Sequence, residues 1–174
     1  STQHRMSADV QRLVAPVYGP DYQPSAAGAT QRLGEGDLSA RALLWIDTAG
    51  AGFDEERDTV SRSLRNPGEA RLLAAVVDQL LAEGVAPAQI GVITPYSAQT
   101  ALLRERLPPS VEVASVNAFQ GREKDVILVS WVRSNDRADV GFVADPRRLT
   151  VALSRARCLL IQVGDSATLG AQPR

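Results

Sequence analysis

An apolar run of seven residues, Val126–Val132, lies between two polar stretches and constrains the fold more than any other feature. It reads V-I-L-V-S-W-V, and its length and β-branched content predict a strand buried on both faces. The stretch Val113–Asp125 precedes it and contains a glycine-bearing polar loop, and the basic stretch Asp145–Arg157 follows it. Ligands of open α/β sheets bind beyond the carboxyl ends of the strands. These two stretches are therefore predicted to form the functional edge.

Four more apolar runs alternate with helical patterns along the chain. Each is short, rich in aliphatic residues and bounded by polar or turn-forming residues, which is typical of buried strands. The predicted strands are Ala42–Asp47, Ile90–Thr94, Val111–Val116 and Cys158–Val163. Strands that alternate with helices predict an α/β fold with a mainly parallel sheet and helices on both faces.

The helix signals are clearest between Asn66 and Gly84. Asn66 is a good N-cap, Pro67 suits the first helical position, and Glu69 completes a capping-box arrangement. Leucines and valines form one apolar stripe along this segment, and Gly84 ends it. The other predicted helices are Ser97–Leu107, Pro146–Arg157 with the N-cap Asp145, and Ala8–Val14 with the cap Ser7.

The connection between the predicted strands Val111–Val116 and Val126–Val132 is unusually short. Only about ten residues separate them, fewer than a parallel crossover normally needs. Either the two strands are not neighbours in the sheet, or the segment Asn117–Gln120 makes a compact helical turn.

Composition narrows the class of protein. A chain of 174 residues with 44% hydrophobic content forms one domain with its own core, and a net charge of -1 argues against bulk electrostatic capture of nucleic acid or membrane. Cys158 is the only cysteine, so no intrachain disulfide forms. No apolar run is long enough to span a membrane, and the first residues are unlike a signal peptide. We therefore expect a cytoplasmic, intracellular protein.

Common catalytic signatures are absent from the sequence. A P-loop needs G-x-x-x-x-G-K-[ST], and the only lysine, Lys124, follows glutamate rather than glycine. The pair Gly34 and Gly36 lacks the third glycine of a dinucleotide-binding fingerprint. His4, the only histidine, lies near the first residue, which disfavours a Ser/His/Asp triad. The acidic stretch Phe53–Asp58 is interpreted as a solvated loop rather than a metal site.

Two sets of polar residues are candidates for ligand binding. Gly121 lets the backbone approach a ligand while Gln120 and Glu123 offer hydrogen bonds, although a turn with solvated charges explains the same residues. The second set consists of four arginines predicted on one helix, where they form either a solvated basic face or a phosphate site. These are Arg147, Arg148, Arg155 and Arg157, of which Arg148 and Arg155 are expected to share a face. Spacing leaves both questions open.

The chain resembles the Upf1-like group of superfamily 1 helicases in four motifs. Motif V is similar to V-A-S-V-N-A-F-Q-G-R-E-K-D-V-I-L-V-S-W-V-R-S-N, which begins at Val113, and motif VI to G-F-V-A-D-P-R-R-L-T-V-A-L-S-R-A-R, which begins at Gly141. Motif IV is similar to I-G-V-I-T-P-Y-S-A-Q, which begins at Ile90. The signature Q-Y-R-M, which opens the second RecA-like domain, is similar to Q-H-R-M at Gln3. The match is ordered and spans nearly the whole chain.

The resemblance implies a three-layer RecA-like fold for a single domain, 1–174. Within it, 1–41 is the motif-bearing N-terminal segment and loop, 42–164 carries the sheet, helices and motifs IV to VI, and 165–174 is a tail. It further implies the C-terminal half of an ATP-dependent helicase, which uses ATP and Mg²⁺ and shares its nucleotide with an N-terminal RecA-like domain. That domain of the same polypeptide and single-stranded DNA or RNA are the implied partners, with no membrane. The fragment alone is expected to be inactive.

The resemblance also assigns roles to individual residues. Arg155 matches the arginine finger, and Arg5 matches a second γ-phosphate ligand. The implied ATP-binding residues are Gln3, His4, Gln120, Gly121 and Glu123. The implied contacts to the backbone of a single strand, which do not read its sequence, are Thr94, Pro95, Tyr96, Ser115 and Val116. The magnesium ligands are expected in the N-terminal domain, and none is implied here.

Two features depart from the family pattern. Asn117 replaces the usual aspartate before A-F-Q-G, and the chain stops at Arg174, soon after motif VI, so helices that often follow are expected to be missing. The alternative interpretation is a non-catalytic nucleic-acid-binding or regulatory module derived from a helicase domain. The joint presence of the nucleotide candidates and both catalytic arginines favours the helicase.

Overall fold

The computed structural model describes residues 2–3, 23–24 and 33–171. Its helices are α1 (Pro67–Ala82), α2 (Ser97–Arg106), α3 (Pro146–Leu153) and α4 (Ser166–Leu169), with 3₁₀ turns at Pro87–Gln89 and Gly141–Ala144. Its strands are β1 (Thr2–Gln3), β2 (Gln23–Pro24), β3 (Leu43–Asp47), β4 (Glu56–Arg57), β5 (Leu64–Arg65), β6 (Ile90–Thr94), β7 (Glu112–Ser115), β8 (Lys124–Ser130) and β9 (Ala156–Gly164). The predicted helix Ala8–Val14 and its cap Ser7 lie outside the described residues. None of the helices in these ranges is long and apolar enough to cross a lipid bilayer.

The main sheet of the described residues has five strands in the spatial order β3-β9-β8-β6-β7, and every neighbouring pair is parallel. Strand β6 lies between β7 and β8, so the short connection does not join neighbours. The same connection also makes a compact turn, in which the amide of Phe119 donates to the carbonyl of Ser115 at 3.0 Å. Both alternatives for the short connection are therefore correct: the two strands are not neighbours, and the segment between them makes a compact turn. The predicted α/β fold is confirmed.

Helices cover both faces of the main sheet. Leu73 of α1 and Leu103 of α2 are fully buried against one face. Ala152 of α3 and Phe119, in the turn before β8, are fully buried against the other. The central strands β6 and β8 are buried along most of their length, as expected for a sheet that is covered on both sides. The result is the three-layer RecA-like arrangement.

Helix α3 is shorter than the sequence predicts, because it ends at Leu153. The chain turns at Ser154 so that Ala156 begins β9 and pairs with Lys124 of β8. Burial of β9 between two parallel neighbours outweighs the helical pattern that continues in the sequence. The four arginines predicted on this helix are therefore divided: Arg147 and Arg148 lie on α3, Arg155 in the turn and Arg157 on β9. The prediction that Arg148 and Arg155 share a helical face is wrong.

Helix α1 begins at the predicted N-cap, but its capping box is incomplete. The side chain of Asn66 accepts a hydrogen bond from the amide of Glu69 at 2.9 Å. The returning bond is missing, because the amide of Asn66 donates to Oε1 of Gln99 at 2.9 Å instead. The capping-box prediction is therefore half wrong, and the carboxylate of Glu69 has a different role.

Replacing Asp145 by alanine is expected to lower the free energy of unfolding by about 1 kcal/mol. Its carboxylate caps α3 by accepting a hydrogen bond from the amide of Arg147 at 3.0 Å. Asp145→Asn keeps a good capping side chain and is the matched control, so its loss should be much smaller. Urea unfolding of both variants measures the difference. Equal losses would assign the effect to the ion pair between Asp145 and Arg148, which spans 3.6 Å.

Candidate functional site

The predicted site residues divide between the two edges of the main sheet. Because its described strands are all parallel, their amino ends lie along one edge and their carboxyl ends along the other. At the amino edge, or in the turn leading to it, are Gln120, Gly121, Glu123 and Arg155. At the carboxyl edge are Thr94, Pro95, Tyr96, Ser115 and Val116. The prediction that the stretches Val113–Asp125 and Asp145–Arg157 lie at the carboxyl edge is therefore wrong for the four residues at the amino edge, because the chain crosses the sheet before β8 and again before β9.

A compact turn presents Gln120 and Gly121 at the amino edge. Its anchor is Phe119, which is fully buried and whose ring lies against Gly91 of β6, where a Cβ would collide with it. Gly121 has a φ of +81°, which glycine adopts without strain, and nothing crowds its Cα. Gln120 and Gly121 are both exposed. The turn therefore offers an amide side chain and a bare backbone to a ligand.

The basic residues that follow this glycine hold the turn rather than a ligand. The guanidinium of Arg122 pairs with Glu112, donates to the carbonyl of Ala118 and lies 5.2 Å from the centroid of the Phe119 ring. The ammonium group of Lys124 lies 3.4 Å from the carboxylate of Glu112. These contacts fix the connection over the start of β8.

Arg155 lies in the turn between α3 and β9 and is half-buried. Its Nε donates to the carbonyl of Val151 at 3.0 Å, and one terminal nitrogen donates to Oγ of Ser154 at 2.8 Å. Its own carbonyl accepts from the amide of Lys124 at 3.1 Å, which ties it to the residue after Glu123. Both partners of the guanidinium are uncharged, so its positive charge is available to an anion.

A groove of about 500 Å³ opens at the carboxyl edge and is here called the carboxyl groove. Pro95, Tyr96 and Ser115 line it, which brings three of the predicted strand contacts to one concave surface. Thr94 pairs with Ser115 across β6 and β7. Thr94 and Val116 are only 0% and 4% exposed and do not line the groove, so the structure does not bring these two predicted strand contacts to its surface.

Arg133, which sequence reasoning missed, also lines the carboxyl groove. Its side chain is 6% exposed and pairs with Glu55 at 2.8 Å and with Asp139 at 3.0 Å. Burial opposes its charge, but hydrogen bonds to Glu55, Asp139 and Tyr96 outweigh burial and raise the pKa of Arg133. Gly141 makes room for the guanidinium, because a Cβ there would collide with it. Arg133 therefore links Tyr96 in the carboxyl groove to Glu55 and Asp139, which lie outside its lining.

A buried polar network supports the end of β8. Oε2 of Glu69 accepts hydrogen bonds from Oγ of Ser130 at 2.6 Å and from the amide of Val132 at 2.9 Å. Gln99 donates to the same Ser130 hydroxyl at 3.0 Å. Val132 has a φ of +72°, which is strained for a β-branched residue, and these bonds stabilise it. The network thus fixes the backbone from which Arg133 extends.

The sequence contained signals for only some of these residues. Gln99 closes the string similar to motif IV, and Arg133 lies in the string V-R-S-N directly after the strand of motif V. Glu69 resembles an ordinary capping residue. Glu55 belongs to the stretch Phe53–Asp58, whose interpretation as a solvated loop is wrong for this residue, since its side chain is 14% exposed and holds Arg133.

Three predicted nucleotide contacts lie in the first residues of the chain. Gln3 belongs to β1, which pairs in parallel with β2. His4 and Arg5 lie outside the described residues, so their roles stay predictions. In the part of the chain that the structure describes, no group of three or more His, Cys, Asp or Glu side chains is arranged to hold a metal ion.

Comparison with known proteins finds relatives over most of the chain. A family model described as an AAA domain matches residues 1–167. The chain is 45% identical over 130 residues to the DNA-binding protein SMUBP-2 of Mus musculus, covering 73% of this chain and 13% of that protein. It is 46% identical over 129 residues to a Regulator of nonsense transcripts 1 homolog of Arabidopsis thaliana, covering 68% and 10% respectively.

A third relative is the DNA polymerase alpha-associated DNA helicase A of Saccharomyces cerevisiae. It is 40% identical over 134 residues, which cover 73% of this chain and 20% of that protein. The chain therefore spans between a tenth and a fifth of the length of these three relatives.

Proposed function

Because the chain belongs to the AAA domain family and, within it, to the Upf1-like group of superfamily 1 helicases, we propose that residues 1–174 form the second RecA-like domain of an ATP-dependent nucleic-acid helicase. One observation supports this most. A single sheet carries the nucleotide candidates at its amino edge and a groove with the strand candidates at its carboxyl edge. A domain built in this way links a nucleotide site to a strand site through rigid parallel strands.

The amino edge supplies half of the nucleotide site. Arg155 acts as the arginine finger, because its planar guanidinium matches phosphate oxygens and has uncharged partners in this structure. Gln120, Gly121 and Glu123 contact the nucleotide beside it, where the Lys124 amide bonds the Arg155 carbonyl. The other contacts come from the first residues of the chain: Gln3, His4 and the second γ-phosphate ligand, Arg5. The P-loop and the ligands of Mg²⁺ belong to the N-terminal RecA-like domain of the same polypeptide.

The carboxyl edge supplies part of the single-strand track. Pro95, Tyr96 and Ser115 contact the sugar-phosphate backbone in the carboxyl groove, and the buried neighbours Thr94 and Val116 support these residues from below. One relative is named as a DNA-binding protein and another as a regulator of nonsense transcripts, so DNA and RNA both remain substrates to be tested. A partner of this kind also supports an intracellular location.

The proposal is tested by ATP turnover of the longest natural polypeptide that contains this chain, with and without single-stranded DNA or RNA. We expect strand-stimulated turnover by the long polypeptide and negligible turnover by the 174-residue chain alone, since the chain lacks a P-loop. The same assays on the isolated chain are the matched control.

Two results would contradict the proposal. Robust turnover by the isolated chain would mean that it holds a complete nucleotide site. Strand binding by the long polypeptide without any turnover would favour the alternative function, a non-catalytic nucleic-acid-binding or regulatory module that retains the helicase fold.

A further inference from the structure

A short hairpin borders the carboxyl groove. Its strands, β4 and β5, pair antiparallel within the segment 56–65. Arg57 and Arg62 of this hairpin line the same groove as Pro95, Tyr96 and Ser115. The hairpin belongs to none of the motifs that carry the family resemblance, so the proposed function assigns it no role.

Hydrogen bonds hold the hairpin in a fixed position. At its tip, the carboxylate of Asp58 accepts from the amides of Val60 and Ser61 at 3.2 and 2.7 Å. Near its second strand, Oγ of Ser63 accepts from the amide of Ala98 at 3.2 Å, which attaches the hairpin to the first turn of α2. The two arginines are therefore presented from a preorganised support beside the groove.

Arg57 and Arg62 differ from Arg65, the third arginine of the hairpin, in that neither is paired with a carboxylate of the described residues. Arg65 pairs with Glu56 at 2.6 Å and lies 3.6 Å from Asp58. Arg57 donates to the carbonyl of Arg62 at 2.7 Å, which is an uncharged partner. Among the described residues, the guanidinium of Arg62 has no hydrogen bond or ion pair. Two positive charges on the hairpin are thus available to an anion.

Charge also distinguishes the carboxyl groove from its neighbour. A second groove of about 500 Å³ shares Arg57 and Arg133 with it. The carboxylates that line this second groove are Asp54, Glu55, Asp136 and Asp139. Among the described residues, the lining of the carboxyl groove includes three arginines and no carboxylate. The second groove also contains Arg137, so three arginines face its four carboxylates. A phosphate backbone is therefore attracted more strongly to the carboxyl groove than to the second groove.

We propose that Arg57 and Arg62 bind phosphates of the single strand that lies in the carboxyl groove, so that the hairpin extends the strand-binding surface. This inference rests on the proposed function, because it takes the strand contacts at the carboxyl edge as given. The guanidinium groups contact phosphate oxygens and not bases, so the hairpin strengthens binding without adding sequence preference.

The experiment measures the Kd of the longest natural polypeptide for a fluorescent single-stranded oligonucleotide, without nucleotide, over a series of salt concentrations. For Arg62→Ala we expect weaker binding and a salt dependence whose slope is smaller by about 0.7 in log–log units, the value for one phosphate contact to a single strand. The double variant Arg57→Ala/Arg62→Ala should lose about twice that slope. Arg62→Lys keeps the charge and should retain the wild-type slope.

The matched control is Arg71→Ala, which removes one positive charge from the exposed surface of α1. Thermal unfolding checks that the hairpin variants remain folded. If the double variant is unfolded, the salt dependence of Arg62→Ala alone tests the proposal. If wild type binds with a clear salt dependence but Arg62→Ala has the slope of Arg71→Ala, the hairpin proposal fails alone. If wild type binds neither DNA nor RNA strands, the proposed function fails with it.

Discussion

Replacing Arg155 by alanine is expected to lower the strand-stimulated kcat for ATP by roughly 10³–10⁵-fold in the longest natural polypeptide that contains this chain. An arginine finger neutralises charge that develops during phosphoryl transfer. Its loss therefore raises the barrier to the chemical step, whereas the binding of ATP in the ground state changes little. Arg155 lies at the amino edge, where its guanidinium donates hydrogen bonds to a carbonyl and a hydroxyl. Steady-state kinetics with saturating strand measures kcat and KM separately.

Two substitutions make the result specific to the guanidinium. Arg157→Ala, two positions along the chain, removes an exposed arginine that lies 3.4 Å from Asp125, and it should leave kcat nearly unchanged. Arg155→Lys keeps a positive charge without the planar fork, so it should recover only part of the rate. A kcat for Arg155→Ala that matches that of Arg157→Ala would remove the arginine-finger assignment.

Affinity for the strand should not change in Arg155→Ala. Arg155 lies at the amino edge of the sheet, whereas Pro95, Tyr96 and Ser115 line the groove at the carboxyl edge. A large loss of strand affinity in Arg155→Ala without nucleotide would mean that the two sites are not separated as the sheet suggests.

Local signals were sufficient to predict most elements of the fold. The strand Ile90–Thr94 has the bounds that its sequence predicts, because a strand covered on both faces reads as a continuous apolar run. Helix α1 begins directly after its predicted N-cap, Asn66, since a capping side chain acts on an amide three residues away. Both signals arise within a few residues of the feature that they specify.

The features that the sequence did not predict depend on residues far apart in the chain. Glu69 bonds a serine 61 positions away, and Glu55 bonds an arginine 78 positions away. No periodicity or cap marks such partners, so one carboxylate resembled a capping residue and the other a solvated one. The sequence predicts Arg155 on a helix because the helical pattern continues past Leu153, and only the pairing of β9 with β8 ends the helix there. Strand order likewise emerges only in the assembled sheet.

Glu69 is expected to make the folded protein less stable as the pH rises. Burial raises its pKa from 4.5 to about 7, the negative charges of Asp165 and Glu55 add to this, and hydrogen bonds from Ser130 and Val132 oppose it only in part. Between these two values the folded state retains a proton that the unfolded state releases, so the free energy of unfolding falls with increasing pH. The pKa difference corresponds to about 3 kcal/mol. This contribution to stability is fully present at pH values below the pKa of Glu69 in the unfolded state, and it is lost as the pH rises through its pKa in the folded state.

Glu69→Gln removes the titration while keeping an oxygen for the same two hydrogen bonds. At about pH 8 this variant should therefore be more stable than wild type by about 3 kcal/mol, and at about pH 4 the two should be nearly equal. Urea unfolding across this range measures the difference, with Glu105→Gln on the exposed surface of α2 as the control for removing one negative charge. A difference that stays constant with pH would mean that Glu69 has the same pKa in the folded and the unfolded protein. Its hydrogen bonds to Ser130 and Val132 would then offset the cost of burying the charge.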